Sequence, residues 1–235
     1  MNNTKKKSPI SWVPTAYFAM GLPFVVLNMV TVLMFKGLEV DDKLITFWTS
    51  LILLPWTLKP LWSPFLELFR TKKFFVIVTQ LITGVTFGLV AFALNLSHFF
   101  SISIALLAIV AFSGATHDIA CDGVYMSELS NEDQAKFIGW QGAFYNIAKI
   151  LATGGLVYLA GYFIELNADA GLLIANKRAW MIILLILSVT MILLGIYHLF
   201  ALPSTQSASS KKTLRSNKEV MKELGQVLMD FFRKT

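Results

Sequence analysis

The chain has 235 residues, of which 56% are hydrophobic and only 14% charged, with a mean hydropathy of +0.65. A soluble domain carries about 25% charged residues, so the composition excludes an ordinary soluble domain and describes a polytopic membrane protein. The formal net charge of +6 is no nucleic-acid signature, because the basic residues are dealt out between apolar runs, and the single cysteine, Cys121, excludes an intrachain disulfide.

A membrane-crossing helix needs about 20 apolar residues, and six segments qualify. The basic start Lys5-Lys6-Lys7 precedes an apolar run too long for the core of a cleavable signal, with no small-residue cleavage site after it. The first span, about 10–35, is therefore expected to stay. It holds no charge; Pro23 should kink it, Gly21 eases close packing, and Asn28 and Thr31 form a polar stripe. The second span, about 44–62, is interrupted by Pro55 and Pro60 around Lys59. The third, about 74–94, has Gln80 and little else that is polar. The fourth, about 101–126, carries His117, Asp118 and Asp122 behind an apolar lead-in. The fifth, about 137–164, contains Lys149 and glycines 142, 154, 155 and 161. The sixth, about 179–202, has no Asp, Glu, Lys or Arg.

Residues 1–9 then form an N-terminal segment, and Pro203 ends the membrane part. Residues 203–235 read as a polar linker followed by an amphipathic helix, with Val220, Met221, Leu224, Val227, Leu228, Phe231 and Phe232 at three- and four-residue steps. Such a helix suits a membrane surface or a cytosolic position between two halves equally well. Lys and Arg in short loops set orientation. Fourteen of the twenty fall on the side of the N- and C-termini, four on the other side and two within spans, so both termini are expected to be cytoplasmic.

An aspartate near the centre of a span costs about 2.5–3.5 kcal/mol on insertion scales, so it usually faces a cavity or a partner. Asp118 and Asp122 are four apart and share a helix face, which Tyr125 joins. Ionisable residues concentrate in spans two, four and five, and this distribution predicts an aqueous path lined by those spans with span one, while three and six face lipid. Lys149 matches Asp118 in depth, which allows one ion pair; Lys59 and Asp122 allow another. Each pair has a structural alternative, a lock between helices in the first case and a snorkelling lysine in the second. Gln141, Tyr145, Asn146, Lys149 and Thr153 recur at helical spacing on span five and read as cavity lining. His117 points away from Asp118 and reads as a packed, hydrogen-bonded histidine. Adjacent helical residues point about 100° apart, which disfavours a metal held by His117, Asp118 and Asp122. No metal or cofactor is expected.

Three stretches carry a family resemblance: Gly21-Leu22-Pro23, the run Leu58-Lys59-Pro60-Leu61-Trp62-Ser63-Pro64-Phe65-Leu66-Glu67, and His117-Asp118-Ile119-Ala120-Cys121-Asp122. They resemble the AmpG-type muropeptide permeases of the major facilitator superfamily, over essentially the whole chain. The resemblance implies an all-α fold of six transmembrane helices, one half of that superfamily's architecture, itself a 3+3 inverted repeat. It implies a secondary transporter of the inner membrane that imports cell-wall sugar-peptides by proton symport in cell-wall recycling. Asp118, Asp122 and Lys149 then become candidates for proton or substrate coupling, and Asn28, Lys59, Tyr125, Gln141, Tyr145 and Asn146 for cavity lining. Glu67, Arg70, Lys72 and Lys73 match the signature between spans two and three, which implies a cytoplasmic gate. The segment 228–233 resembles the stretch before span seven, so a truncated or split-gene half is expected, completed by a second six-span half or a second copy.

The resemblance leaves the solute open, because relatives include acetyl-coenzyme A carriers, and another anionic amphiphile fits equally. Two readings from other classes stand beside transport. One is a non-transporting fragment or assembly factor. The other is a membrane enzyme: Asp-x-x-x-Asp-Gly at 118–123 is similar to the metal-binding aspartates of CDP-alcohol transferases, but Val124-Tyr125-Met126-Ser127 does not supply the Ala-Arg that motif needs.

Overall fold

The structure is a computed structural model that describes residues 7–64, 66 and 71–203. Among these residues all regular structure is helical, and six helices are long and apolar enough to cross a membrane. They are α1 (Pro9–Gly37), α2 (Asp42–Leu61), α3 (Lys72–Ala93), α4 (Phe99–Glu128), α5 (Asn131–Leu166) and α6 (Leu172–Ala201). Glu67, Arg70 and the amphipathic tail segment lie outside the described residues.

The helices outrun the apolar segments because polar residues at their ends satisfy the first backbone N–H groups. Asp41 Oδ1 accepts from the amides of Lys43 and Leu44 at the start of α2. Thr71 Oγ1 accepts from Phe74 N at the start of α3. Ser130 Oγ accepts from Asp133 N, so α5 begins at Asn131, and the interval left between the expected fourth and fifth spans contracts to Leu129 and Ser130. Gly171, at φ 88°, supplies the left-handed residue that lets α6 start directly after the short turn Ala168–Ala170.

Contacts at both ends show an up-and-down bundle. At one end Thr15 of α1 meets His198 of α6, and Lys73 Nζ of α3 donates to Leu202 O beyond α6. At the other, Gly37 of α1 lies against Asn176 and Trp180 of α6, and Asn95 after α3 reaches Met181. The core is formed chiefly by α1, α3, α4 and α6, joined by Ile45 and Ile52 of α2 and by Ala148, Ala152 and Ala160 of α5. Gly84 and Gly88 of α3 face Ser188 of α6, and Gly195 of α6 faces Leu81 of α3, so the two backbones approach closely. The helices α3 and α6, expected to face lipid, each bury one face in the bundle and leave an apolar face exposed, with Val85 and Leu89 on α3 and Val189 and Leu193 on α6. The largely uncovered helices are α2 and α5, which carry Phe47, Leu51, Leu54, Ile138, Trp140, Ile150 and Tyr158 on exposed faces.

Two helices contain a wide π-helical turn. In α1 it spans Val26–Val30, just after Pro23, whose missing N–H interrupts the regular bonding pattern. In α5 it spans Leu151–Leu156 and includes Gly154 and Gly155. The two wide turns pack against each other. The proline effect expected for α1 thus takes the form of a π-turn, which leaves Asn28 exposed on its surface.

Candidate functional site

The site is built on a local break in α2. Proline at 55 cannot donate a backbone bond, so the helix Asp42–Ile52 gives way at Leu53 to a short helix, Leu54–Leu58, and then a tight turn, Lys59–Leu61, around Pro60. This turns Trp56 and Lys59, three residues apart and on one face, towards α4. Gly114 of α4 makes room: a Cβ there would lie 2.8 Å from Trp56 Cζ2. The indole ring also packs edge-on against Phe24 of α1, centroids 5.1 Å apart.

One turn beyond Gly114, Asp118 receives both groups on a single oxygen. Lys59 Nζ donates to Asp118 Oδ2 at 2.7 Å, and Trp56 Nε1 donates to the same atom at 2.9 Å. The other oxygen, Oδ1, is buried and has no hydrogen-bond partner. Asp118 is only 8% exposed. A buried carboxylate with a close ammonium and a ring N–H is a charged unit held in a low-dielectric surrounding. One turn further, Asp122 is exposed, and Tyr17 of α1 donates its hydroxyl to Asp122 Oδ1 at 2.8 Å. The two carboxylates therefore tie α4 to different helices, Asp118 to α2 and Asp122 to α1.

This arrangement corrects both expected ion pairs. Asp118 pairs with Lys59, not Lys149, because the break in α2 brings Lys59 up to its level. Lys149 is exposed on α5, and Asp122 takes a tyrosine instead of Lys59. Tyr125 departs from its expected place as cavity lining. Its ring is buried edge-on against Trp12 and Tyr17, and its hydroxyl donates to Gln134 O at 2.5 Å. Tyr145 is half-buried, its backbone and ring against Gly21 of α1. Gln141 is half-buried as well. Asn146 is exposed, its Nδ2 donating to Gly142 O in its own helix. Asn28 and Lys149 are exposed too, so three of the expected lining groups share open surface on α1 and α5.

No match emerges when the chain is compared with protein-family models, curated proteins and solved structures. The family resemblance accordingly rests on the quoted sequence stretches alone.

A cavity of about 280 Å³ opens on a neighbouring face of α4, lined by Ser63, Pro64, Leu66, Lys72, Phe75 and Gly123 among others. The stem of Lys72 crosses Gly123 so closely that a Cβ there would lie 2.6 Å from its Cδ. Lys72 and Lys73 thus sit at the start of α3, one against α4 and one on the end of α6. Among the described residues no three His, Cys, Asp or Glu side chains gather as a metal site would require.

Sequence reasoning missed Trp56, Tyr17 and Gly114. The first and last carried a usable signal: Trp56 is three before Lys59 and Gly114 four before Asp118, so each shares its partner's helix face. Tyr17 had none, because only the fold brings residues 105 apart in sequence into contact.

Proposed function

We propose that the chain is a proton-coupled secondary transporter whose six spans correspond to an N-terminal half of the major facilitator type, and that it takes part in uptake of cell-wall muropeptides across an inner membrane. Both chain ends are assigned to the cytoplasm on the distribution of basic residues. The observation that carries the reading is the divided carboxylate of Asp118: Oδ2 holds both donors and Oδ1 holds none. A proton can occupy Oδ1 without displacing a bond. Once the carboxyl is neutral, Lys59 loses its counter-charge and is released to meet an acidic group of the solute. The lower part of α2 loses its tie to α4 in the same step. Deprotonation restores the pair and expels the acid from Lys59.

Asp122 fits a second station, since it is exposed and its partner Tyr17 sits on α1. Lys149 supplies another positive group for an anionic solute. Muropeptides carry peptide carboxylates and hydroxyl-rich sugar, which suits cationic, amide and phenolic groups together. An acetyl-coenzyme A or similar anionic amphiphile would use the same two lysines, so the solute is decided by experiment. We assign the uncovered face of α5 to a second six-span half, because Lys149 and Asn146, exposed within a span, call for a protein or aqueous surround.

Vesicles bearing the chain together with a C-terminal half provide the test. Labelled anhydromuropeptide should accumulate on imposing an inward proton gradient, and acetyl-coenzyme A should not. Asp118→Asn should abolish accumulation. Wild-type uptake by Asp118→Asn and Asp122→Asn, with an unchanged response to pH, would remove the coupling role.

A further inference from the structure

On the side of α4 away from Lys59 runs a second polar line that the transport step does not use. His117 of α4 is 3% exposed, and its Nε2 lies 2.9 Å from the side-chain amide of Gln80 of α3, itself fully buried. The other end of that amide lies 2.9 Å from Nδ1 of His198 of α6, also fully buried. His198 Nε2 lies 2.9 Å from Thr15 Oγ1 of α1, and Thr15 Oγ1 lies 3.2 Å from Trp12 O. Four helices are joined by one unbroken line of side chains.

Donor and acceptor counting fixes the protons on this line. An amide's N and O are interchangeable by rotation, and a neutral imidazole has one N–H and one lone pair. The structure places the Gln80 nitrogen against His117, an orientation that would put the His117 proton on Nδ1, which is buried without a partner. Thr15 would then have to donate to His198 and forfeit Trp12 O. With the amide turned the other way both imidazole N–H groups, the Thr15 hydroxyl and one Gln80 N–H find an acceptor. His117 Nε2–H gives to the Gln80 oxygen, and the Gln80 nitrogen gives to His198 Nδ1. His198 Nε2–H gives to Thr15, and Thr15 gives to Trp12 O. Buried donors are rarely left unpaired, so the second pattern is the one the surroundings select.

We propose that Gln80, His117 and His198 are positioning residues, a one-directional hydrogen-bond line that locks the rotation of α4 and so presents Asp118 to Lys59. His117 and Asp118 are neighbours pointing about 100° apart on a helix. Gripping one towards α3 therefore fixes the other towards α2. The lock concerns the geometry of the ion pair and stands whether or not that pair couples transport.

The test is magnetic resonance of the chain in bilayers, with ring-¹⁵N histidine and labelled Lys59 and Asp118. Only three histidines are present, and His98→Gln removes the exposed one. His117 and His198 should both be neutral with the proton on Nε2, and Lys59 Nζ should show a dipolar contact to the Asp118 carboxyl. His198→Asn, which keeps an acceptor where Nδ1 stood, should preserve the His117 signature and that contact. Gln80→Leu should mix the His117 tautomers and lose the Lys59–Asp118 contact. A wild-type proton on Nδ1 of His117 overturns the line, and needs no variant to be seen. A folded Gln80→Leu that keeps the full Lys59–Asp118 contact overturns the positioning role. Failure of uptake alone would bear on the transport reading and leave both signatures intact.

Discussion

Lys59 Nζ and Asp118 Oδ2 lie 2.7 Å apart, and with Trp56 on the same oxygen they join the broken end of α2 to the middle of α4. Breaking a buried pair by removing one member leaves an uncompensated charge, at a cost of about 3–5 kcal/mol. Lys59→Met should therefore lower stability by roughly that amount, measured as loss of folded protein on heating in detergent. Asp118→Asn should cost less, near 1 kcal/mol, since the freed ammonium can extend to water. The double variant Lys59→Met with Asp118→Leu should recover most of the loss. A neutral Lys59→Met would mean that the carboxyl already carries a proton at the working pH.

The glycines divide sharply into two kinds. A Cβ on Gly114 would meet the Trp56 ring at 2.8 Å, whereas one on Gly142 meets nothing within 4 Å. Gly114→Ala should push the indole off Asp118 and destabilise by about 1–3 kcal/mol, the usual range for overpacking. Gly142→Ala should be neutral or stabilise by up to about 1 kcal/mol through helix propensity. Thermal unfolding and tryptophan emission of the two variants check both directions, because only Gly114→Ala should move an indole into a different environment.

How much of this was legible beforehand differs by residue. The six spans were legible because a bilayer imposes length and apolarity on each helix separately. Asp118 stood out because a carboxylate within a span is rare. Its partner was not legible: depth counting matched it with Lys149, and only the break at Pro55 lifts Lys59 into reach. Rotation about a helix axis is also invisible to depth counting, which is why Lys149 and Tyr125, both expected to face one cavity, end up exposed and buried respectively. Gln80 and His198 looked incidental in apolar runs, because a hydrogen bond between residues 118 apart leaves no local pattern.

Close approach of α3 and α6 gives a third expectation. A Cβ on Gly84 would lie 2.9 Å from the backbone oxygen of Ser188 and 2.7 Å from Ile192 Cγ1. A backbone oxygen cannot swing aside as a side-chain tip can, so Gly84→Ala should force the helices apart. The expected loss is about 1–3 kcal/mol. Because His198 is on the same helix as Ser188, the separation should also lengthen its bond to Gln80. Loss of the His198 Nε2–H signature in Gly84→Ala, with Gly161→Ala as an unaffected control, checks this; Gly161 has nothing within 4 Å of a Cβ.

The exposed polar surface of α5 separates stability from assembly. Lys149 and Asn146 are open, and the bond that Asn146 makes stays within its own helix. Lys149→Ala and Asn146→Ala should therefore change the chain's own unfolding by less than about 0.5 kcal/mol, the range for surface positions without partners. If a second six-span half or an aqueous hollow lies against this face, the same substitutions should weaken association or uptake while leaving the isolated chain intact. Co-purification of tagged halves measures the first effect and vesicle uptake the second. A variant that is fully stable, associates normally and transports normally would place this face in lipid, and the lysine would then have to extend its ammonium to the headgroups to remain charged.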